Sequence, residues 1–102
     1  MKRQIVTQDE SVRTKAIVRA LINLGKGKSQ NTYHSVNAIY LRSTSSPSGV
    51  TITASDISRI LDPLVERRLV KPTYIEDAYN NRTMTCYAVN QSRIKQLERI
   101  LG

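Results

Sequence analysis

The stretch TASDISRILDPLVERRLVK, residues 53–71, decides how the rest of the chain is read. Thr53 and Asp56 stand at the spacing of a capping box, in which a hydroxyl and a carboxylate satisfy free amides at a helix start; Ser55 is the alternative cap. Ile57, Ile60, Leu61, Leu64, Val65 and Leu69 then recur at intervals that share one helical face. Pro63 interrupts this pattern, because a proline inside a helix loses one backbone bond and crowds the carbonyl four residues back, here that of Arg59. Asp62 and Pro63 could instead cap and start a new helix. The apolar phase runs through the proline unbroken, so the reading favours one helix, bent at that point toward its polar side.

Downstream, Thr73 to Asp77 and Arg82 to Val89 are rich in Tyr, Thr, Ile and Val and flank Ala78-Tyr79-Asn80-Asn81, which predicts a β-hairpin. Gln91 to Leu101 carries Ile94, Leu97, Ile100 and Leu101 at helical spacing, capped by Asn90 or Ser92 and stopped by Gly102. Upstream, the alternating, β-branched Val50-Thr51-Ile52-Thr53 reads as a very short strand. Arg42 to Gly49, small and polar with Pro47 and Gly49, reads as an exposed loop. Before it a short helix with Val36, Ile39, Tyr40 and Leu41 is expected, capped by Asn31 or Thr32. The first helix starts at a Thr7/Glu10 capping box, carries Val12, Ala16, Ile17, Ala20, Leu21 and Leu24 on one face, and ends at Gly25 as a left-handed cap. The expected order is helix, helix, short strand, helix, hairpin, helix: an α+β chain in a single domain over residues 1–102.

A chain of 102 residues has apolar surface for one core. It has no Phe or Trp, so Ile, Leu, Val and Tyr must fill that core. No apolar run approaches the length that spans a bilayer, and Met1 to Glu10 has no signal-like apolar segment, so a cytoplasmic, nucleoid-associated protein without membrane contact is expected. With one cysteine, Cys86, and one histidine, His34, neither a disulfide nor a zinc site is expected, and no cofactor. Cys86 reads as a small buried hydrophobe and His34 as a surface or satisfied residue. Gly25-Lys26-Gly27-Lys28-Ser29 lacks the first glycine of a phosphate loop. The chain is not read as an enzyme.

Helix, strand, amphipathic helix and tight hairpin in succession is the plan of a winged helix-turn-helix. Over residues 53–90 the sequence itself resembles that superfamily, in particular small transcription regulators of the multiple-antibiotic-resistance type. There a pattern like Ser58-Arg59-Ile60-Leu61, then Leu64 to Val70, leads straight into a wing with acidic residues, a polar tip with Arg, and a closing Tyr-x-Val strand as at Tyr87-Ala88-Val89. The resemblance implies that the third helix enters the major groove of double-stranded DNA with Ser55, Ser58, Arg59 and Asp62, and that residues 70–89 form the wing, with Asn80, Asn81 and Arg82 at its tip. Two local readings compete with this: Arg59 paired to Asp56 or Asp62, and the two asparagines serving only the turn. One departure is plain. Eleven residues separate Leu41 from Thr53, where a helix-turn-helix has three or four. Either Arg42 and Ser43 in this loop meet phosphates, or the loop is an insertion with no role.

The net charge of +8 favours a polyanionic partner. Residues 54–82 sum to zero, and the excess lies in Lys2, Arg3, Arg13, Lys15, Arg19, Lys26 and Lys28, which are expected on the DNA backbone while the third helix sets register. Val18 and Ile22 lie off the main face of the first helix, and the last helix has little core left to cover. With the family resemblance, this makes Val18, Ile22, Ile94, Leu97, Ile100 and Leu101 candidates for a homodimer interface. The functional expectation is a sequence-specific, dimeric transcription regulator. The alternatives are a centromere-binding or nucleoid protein that coats DNA, and an RNA-binding or protein-docking winged helix.

Overall fold

A computed structural model describes residues 8–26 and 32–102. The elements run α1 (Gln8–Leu24), β1 (His34–Ser35), α2 (Val36–Ser43), α3 (Ala54–Glu66), β2 (Val70–Asp77), β3 (Arg82–Val89) and α4 (Ile94–Glu98), the last flanked by 3-10 turns at Gln91–Arg93 and Arg99–Leu101. The chain is α+β, with helices packed against a three-stranded antiparallel sheet of order β1-β3-β2. Core side chains come from every layer. Ile17 and Leu21 of α1, Ile39 of α2, Ile57 and Leu61 of α3, Tyr87 of β3 and Leu97 of α4 are all essentially inaccessible, and each such side chain contributes roughly 1.5–3 kcal/mol by burial.

The helix α3 is continuous through Pro63. Its start is the expected capping box, with the Asp56 carboxylate accepting from the Thr53 amide at 2.8 Å. It ends earlier than the apolar pattern suggests. Arg68 adopts φ 63°, the Arg68 amide bonds to Val65 O at 2.9 Å and the Leu69 amide to Leu64 O at 3.0 Å. That is a Schellman motif with arginine where glycine is usual. Leu69 therefore belongs to the turn that feeds β2, although it is buried with the α3 face.

The third strand is not where the alternation places it. Val50–Thr53 has no strand partner, because its groups are engaged otherwise: Ile52 sits in the core, Thr51 O accepts from Arg13 Nε at 2.8 Å, and Thr53 caps α3. His34 and Ser35 form β1 instead, opposite Tyr87 and Cys86. Ser35 also corrects the start of α2, since its hydroxyl accepts the Ala38 amide at 3.1 Å; Thr32 lies upstream of β1, and Asn31 lies outside the described residues, as does the Thr7 cap of α1. Gly25 follows α1 without a positive φ, so the predicted left-handed cap is absent there; Gly49, at φ 84°, and Gly102, at φ 107°, are described glycines that use that freedom.

The hairpin pairs Asp77 with Arg82 across the predicted turn, but β2 begins at Val70 and not at Thr73, so that Val70 lies opposite Val89. Pro72 is tolerated because β2 is an edge strand. Cys86 is buried, as expected. No described helix is long and apolar enough to cross a membrane, and no metal-ligating cluster occurs among the described residues.

Candidate nucleic-acid interface

The four α3 residues expected to face a partner divide into two pairs. Ser55 and Arg59 are exposed, with the Ser55 hydroxyl 3.0 Å from that of Thr53. Ser58, half-buried, and Asp62, itself exposed, are engaged by the sheet: the buried Tyr87 phenol donates to Asp62 Oδ1 at 2.8 Å, and Ser58 bears on the same hydroxyl. Burial raises the Tyr87 pKa, the Asp62 carboxylate adds to that, and Ser58 opposes it. Counting apolar residues on α3 could not show this, because the atom that recruits Ser58 and Asp62 belongs to a tyrosine 25 residues beyond Asp62.

Arg59 is clamped by carboxylates. Its guanidinium bonds both oxygens of Glu10 on α1 and reaches Asp56 Oδ1 at 2.8 Å. Its hydrogen bonds hold the carboxyls of Glu10 and Asp56 below the ordinary carboxylate range and push the guanidinium pKa up. The predicted pairing with Asp56 is present, and Glu10 is a partner the local sequence could not reveal. Glu10 also accepts from Arg13 at 3.4 Å. Arg13, expected on the DNA backbone, thus ties α1 to Thr51 and pairs with Glu10 within α1. With Asp62 and Glu66 also on its polar side, α3 presents a surface that carries its own counter-charges.

At the hairpin tip both asparagines serve the turn. Asn81 adopts φ 51°, and the Asp77 carboxylate accepts from the Tyr79 amide at 3.1 Å and from Asn80 Nδ2 at 2.6 Å, which lowers its pKa. Arg82 is exposed beside this turn, and Tyr79 is fully exposed at its apex.

The cations left over converge on α1 and α2. Lys15, Arg19 and Asn23 of α1 face Arg42 of α2 and the Ser45–Ser48 loop across a groove of about 450 Å³ floored by Val12, Ala16 and Ala20. No carboxylate lines it, and Lys15, Arg19 and Arg42 form no ion pair among the described residues. Two loop assignments change here. Arg42 sits in the last turn of α2, where its charge suits the helix dipole. Ser43 is the last helical residue and is 6% exposed, its hydroxyl donating to Tyr40 O at 2.9 Å, so it is not a loop contact for DNA. The loop is ordered by its own hydroxyls, Thr44 to Tyr40 O, Ser45 to Arg42 O and Ser48 to Val50 O. Sequence reading missed the convergence because Arg19 and Arg42 are far apart in the chain and meet only through helix packing.

Lys26 is exposed beyond the end of α1, while Lys2, Arg3 and Lys28 lie outside the described residues. The dimerisation set is cut by the core. Val18 and Leu97 are wholly buried within one chain, and Ile22, Ile94, Ile100 and Leu101 are half-buried against the same core. The turn Arg99–Leu101 packs on α1 and Leu97 is buried in the core, so the last segment has more core to cover than its position at the end of the chain suggests.

No protein-family model matches the chain, and no curated protein and no solved structure shows significant similarity to it.

Proposed function

We propose that the chain is a winged-helix protein that binds double-stranded DNA, with its affinity seated on the α1–α2 groove. One observation carries this reading: Lys15, Arg19 and Arg42 are gathered on one concave surface without a counter-charge, whereas Arg59 on α3 is neutralised twice. Unpaired cations release condensed counterions when they meet phosphates, and that release drives association with a duplex. The order α2, loop, α3, hairpin supports the winged-helix reading, with α3 setting register through Ser55 and Arg59 once phosphate competes with Glu10 for the guanidinium. Arg82 then reaches the backbone or minor groove beside the hairpin. A twofold dimer is retained as part of the proposal, with the half-buried Ile22, Ile94, Ile100 and Leu101 as its remaining apolar contacts.

Binding of labelled duplexes from the protein's own genome, of a random duplex and of an RNA hairpin, followed by fluorescence anisotropy, tests it. A regulator gives a chosen site more than tenfold preference over random duplex. Cooperative binding of both duplexes alike makes it a DNA-coating protein, the second reading, favoured by the scarcity of free base-reading side chains on α3. Preference for RNA, or no binding to any of the three, overturns the proposal.

A further inference from the structure

We infer that the α1–α2 groove is a binding site for a small phosphorylated ligand with an apolar, flat part, a nucleoside phosphate being the nearest probe; this deepens the DNA-binding reading by naming a second source of phosphate for the same cations. The groove differs from a plain basic surface in three ways. Its volume of about 450 Å³ lies in the range of small-molecule sites, about 300–1,000 Å³. Its cations stand on two helices packed against one another, Lys15 and Arg19 on α1 and Arg42 on α2, so they approach a ligand from opposite walls. Between them lies an apolar floor, Val12, Ala16 and Ala20, whose small side chains leave room for a ring.

The site is also preformed. Ser43, Ser45 and Ser48 hand their hydroxyl protons to backbone carbonyls and so brace the wall opposite α1. They stiffen the rim, and recognition of charge is left to the guanidinium groups, whose forked donors match phosphate oxygens in pairs. Three like charges lining one groove repel one another. An anion removes that repulsion, and the wall it contacts continues through Gly49 and Val50 to the cap of α3.

Calorimetric titration of the protein with ATP, inorganic pyrophosphate and adenosine at low salt, without DNA, reads this inference alone. Saturable binding of ATP and of pyrophosphate is expected, with adenosine at least tenfold weaker than ATP. An Arg19→Ala/Arg42→Ala variant should lose at least tenfold in ATP affinity, while Arg93→Ala/Lys95→Ala, which removes the same charge at α4, should bind as wild type. Circular dichroism and thermal melting guard against misfolding, and Arg19→Gln/Arg42→Gln serves if the alanine variant unfolds. Absence of a saturable isotherm, equal binding of adenosine, or equal loss in the α4 variant overturns the inference. A nucleotide isotherm without duplex binding supports it and removes the DNA reading. Duplex binding that needs Arg19 and Arg42, with no nucleotide isotherm, does the reverse.

Discussion

Arg59 donates three hydrogen bonds to Glu10 and Asp56, and that sets what its neighbours should do. In Glu10→Gln the guanidinium loses its α1 carboxylate and the surface loses a negative charge, so duplex affinity measured by anisotropy should rise several-fold. The variant should lose at most about 1 kcal/mol of stability, since Arg59 is half exposed and such pairs are screened. Unchanged affinity would mean that Arg59 never leaves its clamp. Tyr87 is the other residue whose role rests on one bond. Removing its hydroxyl in Tyr87→Phe leaves Asp62 a partner short and should cost about 1 kcal/mol in urea unfolding, with no change in duplex affinity; a loss of binding at full stability would return Asp62 to the interface. Arg59 and Asp62 were legible as exposed polar positions of an amphipathic helix, but the groups that engage them, Glu10 and Tyr87, come from α1 and β3. Helical periodicity carries no information about either.

Among the elements, those specified by local chemistry were readable and those specified by packing were not. The capping box of α3, the Asn90 cap and the Asp77–Arg82 hairpin register are all written within a few residues of where they act. The strand expected at Val50–Thr53 failed because pairing needs a neighbour, and the free edge of β3 is taken by His34–Ser35. Ser35 ends that strand and caps α2, so Ser35→Ala should cost about 1 kcal/mol and be visible as lower thermal stability. At the far end of α3, Arg68→Gly should stabilise by up to about 1 kcal/mol, because glycine takes the left-handed backbone without the steric penalty of a Cβ. A destabilised glycine variant would show that the Arg68 side chain holds more than the turn does. The last helix is expected to have little core left to cover, yet Leu97 is buried wholly against its own chain. Leu97→Ala should therefore cost about 2–5 kcal/mol by leaving a cavity, with no shift in the mass measured by light scattering beyond any caused by unfolding.

For the molecule as a whole, the lowered pKa values of Glu10 and Asp56 fix the sign of the acid response. Their charged forms are favoured by folding, so the stability they supply is present above the ordinary carboxylate range and is lost as pH falls through their depressed native values. Chemical unfolding between pH 7 and 3 should show stability declining on the acid side, and Arg59→Met, which removes the cause, should flatten that decline. The raised pKa of Tyr87 acts at the other end, where stability is expected to fall as pH climbs past the ordinary tyrosine value. Charge also separates the α3 surface from the groove, and DNA affinity seated on the groove depends on that division. The most direct measurement is the salt dependence of duplex binding for wild type, for Lys15→Ala/Arg19→Ala/Arg42→Ala and for Arg93→Ala/Lys95→Ala/Arg99→Ala. Each phosphate contact adds about 0.9 to the slope of log affinity against log salt, so the groove variant should lose roughly two to three from that slope and the α4 variant little. Equal slopes for all three proteins, or the larger loss in the α4 variant, would contradict it.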